Sequence, residues 1–350
     1  MTRHVPTTMT GNTVEERLVE DPVVGELVPS SSVKPVAATP SQPAPAGPEP
    51  ELPPRAPGFR GSLAWGLVRA VRPRQWIKNV LVFAAPLASG RVFEIDVLRP
   101  TLVAFALFCL ASAAVYLVND SIDVAEDRRH PKKRHRPIAA GLVPIPVAVA
   151  LAVVLFGTAI TVAVLATRPA LAAVLASYVV IQLGYCVFLK NQPVIDLAVV
   201  ASGFLLRGIA GGVAAGRVLS QWFLLVAAFG SLFMVAGKRY SELLLVGDAA
   251  ATRKTLQEYS PSYLRFVWSL SAGVACTAYS LWAFEMARSQ DGVPWATISI
   301  APFVLGILRY AMDVDKGAAG APEEIIMGDR VLLGLGVIWA LAVGAGVFSA

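Results

Sequence analysis

Histidine is scarce in this chain of 350 residues: there are three, at His4, His130 and His135. That leaves little room for a multi-histidine metal centre or a histidine proton relay. Cysteine is as rare. Cys109, Cys186 and Cys276 lie far apart, each inside an apolar run, so neither a disulfide framework nor a zinc-ligand spacing can be read from them. Charge is low too, at 15% of residues against roughly 25% in a soluble domain, while mean hydropathy reaches +0.61. A soluble or disordered chain is excluded. Any chemistry has to rest on carboxylates and cations.

What the sequence does contain is a series of apolar runs, each long enough to cross roughly 30 Å of hydrocarbon. Nine spans are predicted, at about 76–90, 101–118, 143–166, 170–189, 194–213, 222–237, 265–286, 295–312 and 331–349. The pattern reads as an all-α polytopic membrane protein. The first run is short and interrupted by Pro86, so it is expected to begin near Leu63 as a surface helix that turns inward. Residues 1–60 hold 12 of the 25 prolines and are expected to form a disordered tail, with residues 61–350 as the transmembrane domain. No apolar stretch followed by a small-residue cleavage site marks a secretory signal in that tail.

Basic residues collect on the cytoplasmic side of a membrane, and this fixes an expected orientation. With the N-terminus inside, the segments near 72–78, 119–142, 190, 238–265 and 309–330 carry 18 Lys and Arg. The opposite connections carry five: Arg91, Arg99, Arg168, Arg217 and Arg288. The long polar loops, and with them the working face, are therefore expected in the cytoplasm, beneath the plasma membrane. The net charge of +6 on so hydrophobic a chain points to anionic lipid headgroups of the bilayer or a polyanionic substrate, not to nucleic acid.

The most informative stretch runs from Asn119 to Pro137, NDSIDVAEDRRHPKKRHRP. At 100° per residue, Asn119, Asp120, Asp123 and Asp127 fall within about 100° of arc on one helix face. Stacked oxygen ligands suit a hard cation such as Mg²⁺, which takes a few carboxylates and leaves room for substrate phosphate oxygens. An EF-hand is excluded by the spacing. The Lys and Arg that follow could grip phosphates, although a basic loop after a helix end is also what a topological anchor looks like.

Asn119-xxx-Asp123-xxx-Asp127 at the end of a second span resembles the NxxxDxxxD motif of the UbiA-type intramembrane prenyltransferase superfamily, whose members bind Mg²⁺-diphosphate there. The resemblance implies a UbiA-type bundle of about nine helices. A closer likeness is to a phosphoribosyltransferase branch of that superfamily. It is carried by RPRQWIKNVLVFAAPLA from Arg72, YLVNDSIDVAEDRRHPKKRHRPIAAG from Tyr116, SGFLLRGIAGGVA from Ser202, GSLFMVAGKRYSEL from Gly230, SYLRFVWSLSA from Ser262 and LRYAMDVDKGAAGAPEEI from Leu308. It implies Mg²⁺-dependent transfer of the phosphoribosyl group of 5-phosphoribosyl 1-diphosphate (PRPP) to decaprenyl phosphate or a similar polyprenyl phosphate, an early step toward arabinan precursors of actinobacterial cell walls. One departure is informative. Where typical superfamily members carry a second motif, DxxxD, after the sixth span, this chain reads Lys238-Arg239-Tyr240-Ser241-Glu242, with Asp248 further on. Cations in that place suit direct contact with a second phosphate.

Roles follow from the resemblance. Asp123 and Asp127 are the expected catalytic residues, and Asn119, Asp120, Asp123 and Asp127 the expected metal ligands. Substrate phosphates are assigned to Lys78, Lys133, Arg134, Arg136, Lys190, Lys238 and Arg239, with Gln75, Asn79, Tyr240 and Glu242 alongside. Lys78 reads equally as a snorkelling anchor and Lys190 as part of a helix cap. Arg207, deep in the fifth span, must face a polar cavity or a partner, and a structural pair serves as well. One of Asp313 and Asp315 is expected near Lys238 or Arg239. The main rival is a prenyltransferase that alkylates an aromatic acceptor with a prenyl diphosphate; a transporter is disfavoured because the polar residues crowd one face. A homo-oligomer is compatible with all of these readings.

Overall fold

The computed structural model describes residues 62–246, 254–288, 292–317 and 328–348; the proline-rich tail and Asp248 lie outside them. Among the described residues every regular element is helical. An amphipathic helix α1 (Leu63–Ala70), capped by the Ser62 side chain, leads into a 3₁₀ helix (Pro73–Phe83) and a short α2 (Ala84–Ala88). There follow α3 (Ile95–Ile122), α4 (Val124–Arg129), α5 (Ile145–Ala166), α6 (Pro169–Val187), α7 (Ile195–Ala214), α8 (Gln221–Val246), α9 (Lys254–Gln257), α10 (Pro261–Ala287), α11 (Trp295–Ile298), α12 (Ile300–Asp315) and α13 (Arg330–Phe348).

Eight helical stretches among the described residues are long and apolar enough to cross a membrane: α3, α5, α6, α7, α8, α10, α11 with α12, and α13. This is one fewer than the nine expected, and the difference lies in the first run. It is not an α-helix of spanning length but 11 residues of 3₁₀ helix followed by five of α-helix. At rises of about 2.0 and 1.5 Å per residue it still covers about 30 Å. A run of 3₁₀ this long is unusual, and tertiary contacts fasten it at three points. Arg72 is bound to Asp120, Asn79 to Ser112 and Arg207, and Val82 lies against Gly211.

Helices α3 and α7 are central, with 61% and 56% of their apolar windows buried, whereas α5, α6, α8, α12 and α13 stand at 22%. Small residues make the close approach feasible. Ala104, Ala111, Ala159, Ala163, Ala210 and Ala214 fill one core where α3, α5, α6 and α7 meet. At Gly211 even a methyl group would sit 1.7 Å from the Val82 carbonyl oxygen. A second core, between α8, α10, α12 and α13, is built instead on Phe233, Tyr240, Tyr259, Leu264 and Tyr310, with Trp268 packed against it.

Candidate active site

The chemistry-bearing residues meet at one end of the bundle, where α3, α8 and α12 finish and α7 and α10 begin. The acidic stretch does not continue as one straight helix. α3 stops at Ile122, Asp123 takes φ −85° and ψ 8°, and α4 resumes at Val124, while the amides of Asp123 and Asp127 still donate to the carbonyls of Asn119 and Asp123. This break divides the expected stripe. Asp120 and Asp127 remain buried together, Asp123 is half-buried and turned toward the α6–α7 connection, and Glu126 is exposed.

Each of the three aspartates meets a cation. Arg136 Nη1 donates to Asp120 Oδ1 at 3.0 Å and to Asp127 Oδ2 at 2.7 Å. Arg72 Nη2 donates to both Asp120 oxygens at 2.6 Å, and its guanidinium lies 4.7 Å from the centre of the Tyr116 ring. Lys190 pairs with Asp123. Burial pushes the Asp127 carboxyl above the usual carboxylate range, opposed by Arg136.

Among the described residues no three acid, histidine or cysteine side chains gather as a metal-binding group. Asp120 and Asp127 nevertheless converge on one positively charged nitrogen. Mg²⁺ needs only one or two carboxylates when waters and phosphate oxygens complete its shell. The hard-oxygen donor set therefore fits that ion, with Asp120 and Asp127 as the converging pair and Asp123 and Asn119 within a turn of them.

On the opposite side of this end, Arg239 is 5% exposed and Asp196 is 1% exposed. Arg239 donates through Nε to Asp196 Oδ2 at 3.3 Å and through Nη1 to Glu242 Oε2 at 2.9 Å. The hydrogen-bond partners of Arg239, Asp196 and Glu242, come from α7 and α8, so the expected α12 acid is not among them. Asp315 instead accepts from Arg265 at 2.9 Å and from the Tyr240 hydroxyl at 3.3 Å, and Arg309 pairs with Asp329. Tyr259 was not singled out by its sequence context. Its hydroxyl donates to Asp196 Oδ1 and accepts the Val194 N–H, and burial together with the Asp196 bond raises its pKa, so it stays protonated.

Between these groups and the middle of the bundle lies a cavity of about 900 Å³. Its wall on α8 is Phe223, Val226, Ala227, Gly230, Ser231, Met234, Val235, Lys238 and Arg239, a helical stripe about 24 Å long at 1.5 Å per residue. Lys78 and Tyr185 join Lys238 and Arg239 at the polar end. Tyr279, Trp282, Phe303 and Trp339 line the far end.

Other expected substrate contacts are placed differently. Asn79 and Arg207 are buried beneath the cavity: Arg207 donates to Asn79 Oδ1 at 2.7 Å, the Gly203 carbonyl at 2.6 Å and the Tyr178 hydroxyl at 3.0 Å. This is the structural pairing, made with neutral partners. Gln75 is half-buried near the start of the 3₁₀ helix, and Lys133 and Arg134 sit on the basic loop, Arg134 exposed. His130 Nδ1 accepts the amides of Lys132 and Lys133 and holds that loop at its base.

The profile of the UbiA prenyltransferase family matches residues 80–327, and the chain belongs to that family. It is a multi-pass membrane protein. Its curated relatives include two transferases, each named decaprenyl-phosphate phosphoribosyltransferase. One, from Mycobacterium tuberculosis, is 53% identical over 291 residues, covering 82% of this chain and 95% of the relative. The other, from Corynebacterium glutamicum, is 51% identical over 292 residues, covering 82% and 88%. A solved UbiA homologue from Archaeoglobus fulgidus, bound to GPP and Mg²⁺, shares the fold with a TM-score of 0.60 at 16% identity, covering 81% of this chain and all of that one.

Proposed function

We propose that this protein transfers the 5-phosphoribosyl group of PRPP to decaprenyl phosphate or a similar polyprenyl phosphate, releasing diphosphate, from the cytoplasmic side of the plasma membrane. The product class would feed arabinan precursor synthesis. The observation that carries the reading is the arrangement of charge around one long apolar cavity. Lys78, Lys238 and Arg239 line its polar end, the last two in the place of a second acidic motif, and the carboxylates of the first motif stand at the same end of the bundle. Two phosphorylated substrates, one of them a lipid, need this combination. An aromatic acid and a prenyl diphosphate do not.

In the transfer, the bond from ribose C1 to the diphosphate oxygen breaks with its electron pair leaving on diphosphate, and C1 bonds to an oxygen of the lipid phosphate. That oxygen is already anionic near neutral pH, so no general base is required, in keeping with the scarcity of histidine. Mg²⁺ held by Asp120 and Asp127, with Asp123 and Asn119 beside them, would supply neutralisation of the departing diphosphate. The chain's own cations would position the substrates. Arg136 and Lys190 stand at the diphosphate side, and Lys78, Lys238 and Arg239 at the head of the lipid cavity, for the acceptor phosphate or the 5-phosphate of the donor. The basic residues concentrated at this end support a cytoplasmic placement under the charge rule.

The test is incorporation of label from [¹⁴C]PRPP into organic-extractable lipid by purified protein. Product that requires both Mg²⁺ and polyprenyl phosphate is expected; folded protein that instead joins a prenyl diphosphate to an aromatic acid would overturn the proposal.

A further inference from the structure

The connection between α6 and α7 reverses the chain in seven residues, and its last step is strained. Val194 adopts φ 67° and ψ −48°, and the Ile195 amide donates to the Pro193 carbonyl at 2.7 Å. That is a three-residue γ-turn of the rarer hand, a conformation that is costly for any side chain and most of all for a β-branched one. Val194 itself is 50% exposed, so its side chain contributes little packing to justify the strain.

One group outside the turn holds it. The Tyr259 hydroxyl accepts the Val194 N–H at 2.6 Å and at the same time donates to Asp196, two residues further on. The ring is 5% exposed and stacked on Tyr263 at 5.8 Å, which fixes the hydroxyl in place. The turn joins two functional groups. On its N-terminal side Lys190 pairs with Asp123 of the acidic motif and accepts Thr255 Oγ1 on its carbonyl. On its C-terminal side Asp196 pairs with Arg239, which lines the cavity.

We propose that Tyr259 is a positioning residue: by clamping the Val194 amide and the Asp196 carboxylate with one hydroxyl, it keeps the strained turn closed and so holds Lys190 against the acidic motif and Asp196 against Arg239. The clamp acts through these residues and touches no substrate. Its consequence rests on the phosphoribosyl-transfer reading, because Lys190 and Asp123 stand there on the donor side. Glycine at position 194 would adopt the turn without strain, and the turn would then no longer depend on the tyrosine.

Four proteins test this: the natural chain, Tyr259→Phe, Val194→Gly and the double variant. Phenylalanine retains the packed ring and removes only the hydroxyl. For Tyr259→Phe the KM for PRPP should rise about tenfold, the factor equivalent to one hydrogen bond of about 1.4 kcal/mol, with the KM for polyprenyl phosphate within about twofold. Val194→Gly alone should behave as the natural chain, and added to Tyr259→Phe it should recover most of the lost donor affinity. An equal fall in kcat for both substrates with no change in KM, or no rescue by glycine, overturns the positioning role.

Hydrogen exchange reads the turn without reference to catalysis. The amides of Ile195, Asp196 and Ala198 should exchange faster in Tyr259→Phe and return toward the natural rate in the double variant. Unchanged exchange in Tyr259→Phe overturns the clamp. Absence of phosphoribosyl transfer by the natural chain, with these exchange differences present, overturns the functional reading and leaves the clamp standing.

Discussion

The two halves of the bundle solve the packing problem in opposite ways. Where α3, α5, α6 and α7 meet, six alanines stand among the larger core residues, and at Gly211 and Val82 backbone touches backbone. Around α8, α10, α12 and α13 the core is richer in aromatic side chains, and a cavity of about 900 Å³ opens between these helices and α7 with the first run. Without a hydrophobic driving force between helices inside a bilayer, close packing of small residues is what makes a rigid joint. The aspartates of the acidic motif therefore hang from the first, tighter half, and the space for an apolar chain opens between it and the second, looser one. Rigidity where charge must be aimed and room where a lipid must enter are separate demands, met by separate residue types.

Substitutions in the two halves should accordingly differ most at glycine. Gly211→Leu forces a side chain into a backbone carbonyl and should leave no folded protein, well beyond the usual 1–3 kcal/mol of overpacking. Gly230→Ala, where nothing lies within 4 Å of the added carbon, should keep the natural Tm. Thermal unfolding in detergent compares them directly.

Next in size is the buried pair of the looser half. Arg239→Ala strands Asp196 at 1% exposure, which should cost about 3–5 kcal/mol and appear as a large drop in Tm. Lys238→Ala should leave Tm nearly unchanged and raise the KM of a phosphorylated substrate, so of the two neighbouring cations Arg239 alone also carries structure.

In the tighter half, Asp123→Asn keeps the shape of the side chain and its site is only half-buried. Product formation should fall on the order of a hundredfold with a natural unfolding curve, as measured by label transfer and calorimetry on the same preparation. Unchanged transfer would remove Asp123 from the reacting centre.

The smallest effect concerns the basic loop. Burial, aided by Lys133, lowers the His130 pKa below its ordinary 6.5, so the folded protein favours the neutral ring that accepts the Lys132 and Lys133 amides. The sign follows. The stabilisation is fully present above pH 6.5 and is lost as pH falls through the lowered value. Hydrogen exchange at residues 132 and 133 should rise over that window, and His130→Ala should abolish the pH dependence.

Much of this was legible without coordinates. The eight long spans follow from apolar runs, and the helical spacing of Asp120, Asp123 and Asp127 picks out acids that stand at one end of the bundle. The first run misled because its amino acids permit an α-helix, and only the fastenings at Arg72, Asn79 and Val82 stretch it into 3₁₀ form. The stripe of four oxygen ligands was drawn on an unbroken helix, and the break at Asp123 gave that residue a different partner from Asp120 and Asp127. Arg207 could be read as buried, yet its neutral partners could not be read at all. Tyr259 carried no signal, being one tyrosine in a short polar connection.

By itself, then, the sequence determined that this is a polytopic membrane protein whose polar segments hold carboxylates and cations, with almost no histidine. Those properties reside in composition and local periodicity. The tertiary structure alone decided which cation neutralises which acid and where the apolar space opens. Lys190 and Asp123 lie 67 residues apart, and Arg207 and Asn79 lie 128 apart. Such pairs leave no periodic trace along the chain, because they are selected by helix packing in three dimensions.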